Sequence, residues 1–150
     1  YGNGWHITTD QQMNGLSEVG IKLVPDGAKS SKGALEISGQ IKPGFAFPWA
    51  GVFFGPGAKA MQPVNYSNAK ELVFWVKGDG RTYSVMMLSN TAAVGAPPSQ
   101  SFVTSGEWKE IRLPMAGFAG LELTSISGFS FNAIGSEGEF SFTIDNVEVR

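Results

Sequence analysis

Apolar and polar residues alternate with a period of two in many short runs of this chain. In FSFTIDNVEV, Phe140, Phe142 and Ile144 fall on one face while Ser141, Thr143 and Asp145 fall on the other. After Asp145 the apolar phase slips by one residue to Val147 and Val149, which predicts a β-bulge. In SGFSFNA, Phe129 and Phe131 lie opposite Ser130 and Asn132. Such alternation sets one side of a strand in a core and leaves the other outside it. No segment keeps a 3.6-residue apolar period over three turns. Strands are therefore predicted at Glu18–Val24, Ala34–Ile41, Trp49–Phe54, Leu72–Lys77, Thr82–Ser89, Gln100–Val103, Lys109–Leu113, Ser127–Ala133 and Phe140–Val149. The separators, among them PDGAKSSKG, KPGFAFP, TAAVGAPPS and GSEGE, are rich in turn-forming residues. A short helical turn is expected near Tyr66–Lys70. The pattern predicts an all-β fold, a β-sandwich of two antiparallel sheets with their apolar faces together.

The segment FWVKGDGRTYSVMMLSN (74–90) raises the question of whether Gly-Asp-Gly-Arg is a phosphate cradle or a corner. A phosphate loop needs a helix after the glycines to direct amides and dipole at the anion, and here a strand-like run follows. A two-residue Asp79-Gly80 turn predicts a β-hairpin, with Leu72–Lys77 paired to Thr82–Ser89. One hairpin face would carry Leu72, Phe74, Val76, Tyr83, Val85 and Met87, all core-like. The other would carry Val73, Trp75, Lys77, Thr82, Ser84 and Met86. A three-residue loop would scramble this sorting.

With 150 residues and no internal repeat or linker, the chain is expected to form one domain, residues 1–150. It starts at Tyr1 without an initiator Met or a leader, so it reads as a domain excised from a longer protein. The formal charge of −2 and the absence of any Lys/Arg cluster argue against nucleic acid. The longest apolar runs fall far short of a membrane span. There is no cysteine, which removes disulfides and thiolate metal sites. One glycosylation-type triplet, Asn65-Tyr66-Ser67, is present.

Three segments together resemble the complex I intermediate-associated protein 30 (CIA30) family. TDQQMNGLS carries Asp10, Met13, Gly15 and Ser17 in an Asp-x-x-Met-x-Gly-x-Ser signature, with Asn14 where the family usually has Gly. LVFWVKGDGRTYSVMM resembles the family's strand, turn and strand. EWKEIRLPMAGF, ISGFSF and FTIDNVEV resemble its C-terminal half. The resemblance implies a galactose-binding-like jelly roll, similar to several carbohydrate-binding modules, without catalysis of its own. Such domains occur in a respiratory complex I assembly factor, in bacterial proteins and as appendages of hydrolases, including amidohydrolases. The resemblance also makes Asp10 and Asp145 candidates for a structural calcium, whose hard oxygen ligands they could supply.

Catalytic chemistry has little support. His6 is the single histidine, with no nucleophile-elbow sequence to accompany it. The carboxylates are scattered beside turns, as at Asp26, Asp79, Glu107, Glu137 and Glu139. Saccharide binding asks for an aromatic ring to stack on the apolar face of a sugar, with amide, hydroxyl or charged groups around it. The non-core hairpin face offers Trp75 with Lys77, Thr82, Ser84 and Met86, and Asn132 and Ser130 could join it. Trp49 is a second candidate platform, whereas Trp5 and Trp108 read as structural. The expected function is a non-catalytic binding module for saccharide, centred on Trp75, which would favour an extracellular or periplasmic setting. The alternative is an accessory or assembly domain that contacts a neighbouring catalytic domain or another protein through the same half-polar face.

Overall fold

A computed structural model of the chain describes residues 4–90 and 96–150. Among these residues there are ten strands: Gly4–Thr9 (β1), Glu18–Val24 (β2), Ala34–Ile41 (β3), Trp49–Gly55 (β4), Glu71–Gly78 (β5), Thr82–Ser89 (β6), Ser99–Val103 (β7), Lys109–Pro114 (β8), Ile126–Ile134 (β9) and Gly138–Val149 (β10). They form two five-stranded antiparallel sheets, sheet I in the order β1-β4-β9-β6-β7 and sheet II in the order β2-β3-β10-β5-β8. All-β architecture and two packed antiparallel sheets agree with the alternation. The expected loop 91–99 lies partly outside the described residues.

The core-like set is buried as predicted, with Leu72, Phe74, Val76, Tyr83, Val85 and Met87 all almost inaccessible. The predicted hairpin, however, does not form. β5 pairs with β10 and β8 in sheet II, and β6 pairs with β9 and β7 in sheet I. Gly-Asp-Gly-Arg is the corner by which the chain crosses between sheets. Only Gly80 has positive φ (89°) there, whereas the expected hairpin turn needs it at Asp79 as well. The amide of Gly78 donates to Ser105 O and that of Asp79 to Ser141 O, so the corner is tied to neighbouring strand ends instead of closing on itself. Both sheets turn their apolar faces to one core. Alternation therefore has the same phase whether two strands pair side by side or face each other across the sandwich.

Aromatic rings bind the sheets together. Phe74 of sheet II meets Phe131 of sheet I edge-on at 4.8 Å between centroids, and Tyr83 lies 4.3 Å from Phe142. The expected bulge is present, with the β10–β5 register shifting between Asp145 and Glu148 and Asn146 at φ 48°. Strand β1 was not expected. Its ring-bearing Trp5 packs on Phe54 and Phe131 at 5.0 and 5.8 Å, which anchors the strand on the sheet edge. The helical turn expected near Tyr66–Lys70 is a single hydrogen-bonded turn, Ala69 N to Tyr66 O. No helix among the described residues is long and apolar enough to cross a membrane.

Candidate functional site

The three signature segments are built around aspartates that hold backbone. Asp10 is wholly buried and accepts from Ser17 N (2.9 Å) and Ser17 Oγ (2.7 Å). Gly15 lies so close that a Cβ there would stand 2.3 Å from the carboxyl group. Asn14 takes the left-handed conformation (φ 65°) that glycine and asparagine both tolerate, which explains how it can stand in for the usual glycine. Asp79 accepts from Arg81 N (3.0 Å), Ser141 N (2.9 Å) and the Tyr83 hydroxyl (2.8 Å). Burial first, then the hydrogen bond to Asp79, push the Tyr83 phenol well above its ordinary pKa. Asp145 accepts from Ala28 N (2.8 Å), Ser31 Oγ (2.7 Å) and Asn146 N (2.8 Å), and so clamps the loop 27–33 to the end of β10.

These contacts bear on calcium. Both oxygens of Asp10 and of Asp145 accept from N–H or O–H donors, so each carboxylate already has a partner on either oxygen. The structure shows both carboxylates holding backbone and hydroxyl groups. Among the described residues no three His, Cys, Asp or Glu side chains gather in a metal-binding group.

The residues expected on one binding face are divided between two sheets. Trp75 and Lys77 lie on the outer face of sheet II; Thr82, Ser84, Met86, Asn132 and Trp49 lie on that of sheet I. This follows from the corner at Asp79-Gly80, which sends β5 and β6 to opposite sheets. Trp75 is flanked by Asp145 and Glu110 on the neighbouring strands, and Lys29 Nζ sits 4.9 Å from its ring centroid. Lys77 Nζ similarly covers the Trp108 ring at 5.0 Å. Arg112 pairs with Glu71 and Glu110, each at 3.1 Å. Sheet II also borders a groove of about 700 Å³ that contains Glu18, Asp79 and Glu139. Its outer face is densely charged, and the loop clamped by Asp145 brings a cation over Trp75.

Sheet I presents a different surface. Two rows of side chains cross all five of its strands: Thr8, Gly51, Asn132, Ser84 and Ser101 in one, and His6, Phe53, Ser130, Met86 and Ser99 in the next. None of its strands contains Asp, Glu, Lys or Arg. The Phe53 ring lies across Gly128, where a Cβ would come within 2.0 Å of it. The Trp49 indole N–H reaches toward Thr8 Oγ1 at 3.4 Å, and Phe45 meets Trp49 edge-on at 5.9 Å. Asn132 is 1 % exposed; its Nδ2 donates to Ser130 Oγ (2.7 Å), while its Oδ1 is buried without a partner. At the β1 side a groove of about 470 Å³ opens over this face, lined by His6, Thr8, Gln12, Phe53, Met61 and Leu88 among others. Phe53, His6 and Thr8 were not expected in a site. The phase of Trp49, Gly51 and Phe53, two residues apart on one strand, is the signal that would have found Phe53.

The fold is that of carbohydrate-binding modules. The family 11 module of the cellulosomal cellulase Lic26A-Cel5E of Clostridium thermocellum superimposes with a TM-score of 0.73 at 16% identity, over 97% of this chain and 86% of that one. A family 30 carbohydrate-binding module gives 0.68 at 11% identity, over 91% of each chain. An exo-β-agarase gives 0.71 at 14% identity, with all of this chain matching 23% of that enzyme. No curated protein matches by sequence. The sequence profile of the complex I intermediate-associated protein 30 family does match, over residues 2–144, and with its signature aspartates accounted for in the fold the chain belongs to the CIA30 family.

Proposed function

We propose that this domain is a non-catalytic saccharide-binding module and that its binding surface is the outer face of sheet I. The observation that carries this reading is the side-chain composition of that face. Phe53 and Trp49 offer apolar ring surface beside the accessible hydroxyls of Thr8, Ser99 and Ser101. Sugars have that mixed character, with C–H faces that pack on rings and hydroxyls that need hydrogen-bond partners. The structural neighbours support the same class. The Clostridium thermocellum module was solved with a β-1,3-1,4-mixed-linked tetrasaccharide and another neighbour with β-1,4-galactotriose. The signature aspartates are each engaged in holding backbone, which leaves them out of a hydrolytic pair.

Tryptophan fluorescence with a glycan panel tests the reading. The expected result is a saccharide-dependent change that disappears in Trp49→Ala and persists in Trp75→Ala. Loss in Trp75→Ala alone would return the site to sheet II, and silence toward every glycan would remove the module reading.

One observation favours a second reading, contact with a neighbouring protein domain. Between edge strands β1 and β2 an apolar cleft of about 300 Å³ opens, lined by Trp5, Leu23, Leu35, Phe54, Phe129 and Val147 among others. Leu23 there is 82 % exposed, and Ile7 and Ile21 on the same two strands are also exposed. The agarase match, which covers a minor part of a larger enzyme, is compatible with an appended domain. If this edge docks on a catalytic domain, Leu23→Glu will abolish co-purification of the two separately expressed domains; unchanged association would exclude the edge.

A further inference from the structure

We infer that the ligand of the sheet I face is an uncharged glycan, which rests on the saccharide-binding reading above and adds the chemical class. The argument comes from a contrast within one molecule. The two sheets have five strands each, yet every Asp, Glu, Lys and Arg found in a strand belongs to sheet II. Each strand of sheet II contributes at least one, from Glu36 on β3 to Lys109, Glu110 and Arg112 on β8. An outer face left to solvent is expected to carry mixed charges, and exposed edge strands are usually guarded by them. Sheet II follows that rule. Sheet I departs from it across its full width, including its two edge strands β1 and β7.

The groove over this face continues the pattern, since no Asp, Glu, Lys or Arg lines it. Lys59 lies two residues before Met61 but does not line the groove. A uronate or sulfated glycan placed here would lose hydration without meeting a lysine or arginine, which is costly for a desolvated anion. An amino sugar in its cationic form would meet no carboxylate. A neutral glycan pays no such penalty, and its hydroxyls find Thr8 and Gln12 in the groove and the exposed Ser99 and Ser101 farther across the face. Absent charges thus act as a filter: they reject charged competitors by leaving them unpaired.

The test is affinity electrophoresis and calorimetry of the domain with mixed-linked β-glucan, galactan and glucomannan as neutral probes and polygalacturonate and alginate as anionic ones. The expected result is binding of at least one neutral polymer, at least about tenfold tighter than either anionic polymer. Its affinity should change less than about twofold between low and high salt, because an uncharged ligand has no screened attraction to lose. Phe53→Leu, which keeps bulk over Gly128 and removes the ring face, should weaken it at least about fivefold while the melting temperature stays near that of the parent. Preference for polygalacturonate or alginate, abolished by Phe53→Leu, would overturn the neutral-glycan inference and leave the binding face standing. Failure of every polymer to bind would overturn the module reading and this inference with it.

Discussion

Asp10 shows how a residue that looks like chemistry can be framework. Its buried carboxylate holds both the amide and the hydroxyl of Ser17, and Gly15 leaves it room. Asp10→Ala would strand these donors in the interior and is expected to cost about 3 kcal/mol, read from urea unfolding. Tyr83 gives a second test. Its phenol is raised above the ordinary value near 10, so the unfolded chain releases that proton first. The stabilisation is therefore complete below about pH 10 and is lost as pH climbs past it. Tyr83→Phe should be less stable at neutral pH, because Asp79 loses a hydrogen-bond donor, and should show a shallower alkaline decline in thermal melts. Both aspartates were visible in the sequence as signature positions. Their partners were not, because a carboxylate looks the same in one dimension whether it accepts from an amide or a metal.

At the scale of elements, the loop 27–33 decides the fate of Trp75. Asp145 holds it through Ala28 and Ser31, and Lys29 is carried with it onto the indole. Asp145→Ala should free the loop. The expected signs are faster hydrogen exchange at Ala28 and stronger acrylamide quenching of Trp75; unchanged exchange would mean that other contacts hold the loop. The strands themselves were largely legible, since β2, β3 and β6 keep the bounds that alternation predicts. β1 was missed because GWHITT pairs with only one neighbour, and much of its hold comes from Trp5 packing on Phe54.

For the whole molecule, the core and the outer faces make separable predictions. Phe131 is fully buried and touches Trp5 and Phe102 within sheet I and Phe74 across the sandwich. Phe131→Ala should cost about 3–5 kcal/mol, measurable by denaturant unfolding, and should reduce saccharide binding only by unfolding the domain. Phe53→Leu should do the reverse, with binding lost and stability nearly kept. A stability loss in Phe53→Leu comparable to that of Phe131→Ala would reassign Phe53 to the framework.

The sequence by itself determined most of the strands and, for those in the core, the side that is buried, because a period of two is a local property of the backbone. It also determined the family, through short motifs whose residues make contacts the fold needs. Tertiary structure alone decided which sheet each strand joins. Two facing sheets share one core, so the apolar phase of β5 and β6 is the same for a hairpin as for a crossing between layers. That decision separated Trp75 from Ser84 and Met86. It also gathered β1, β4, β6, β7 and β9, scattered along the chain, into one face without formal charge. The composition of that face was present in the sequence from the start, but it became a surface only when long-range pairing placed those strands side by side.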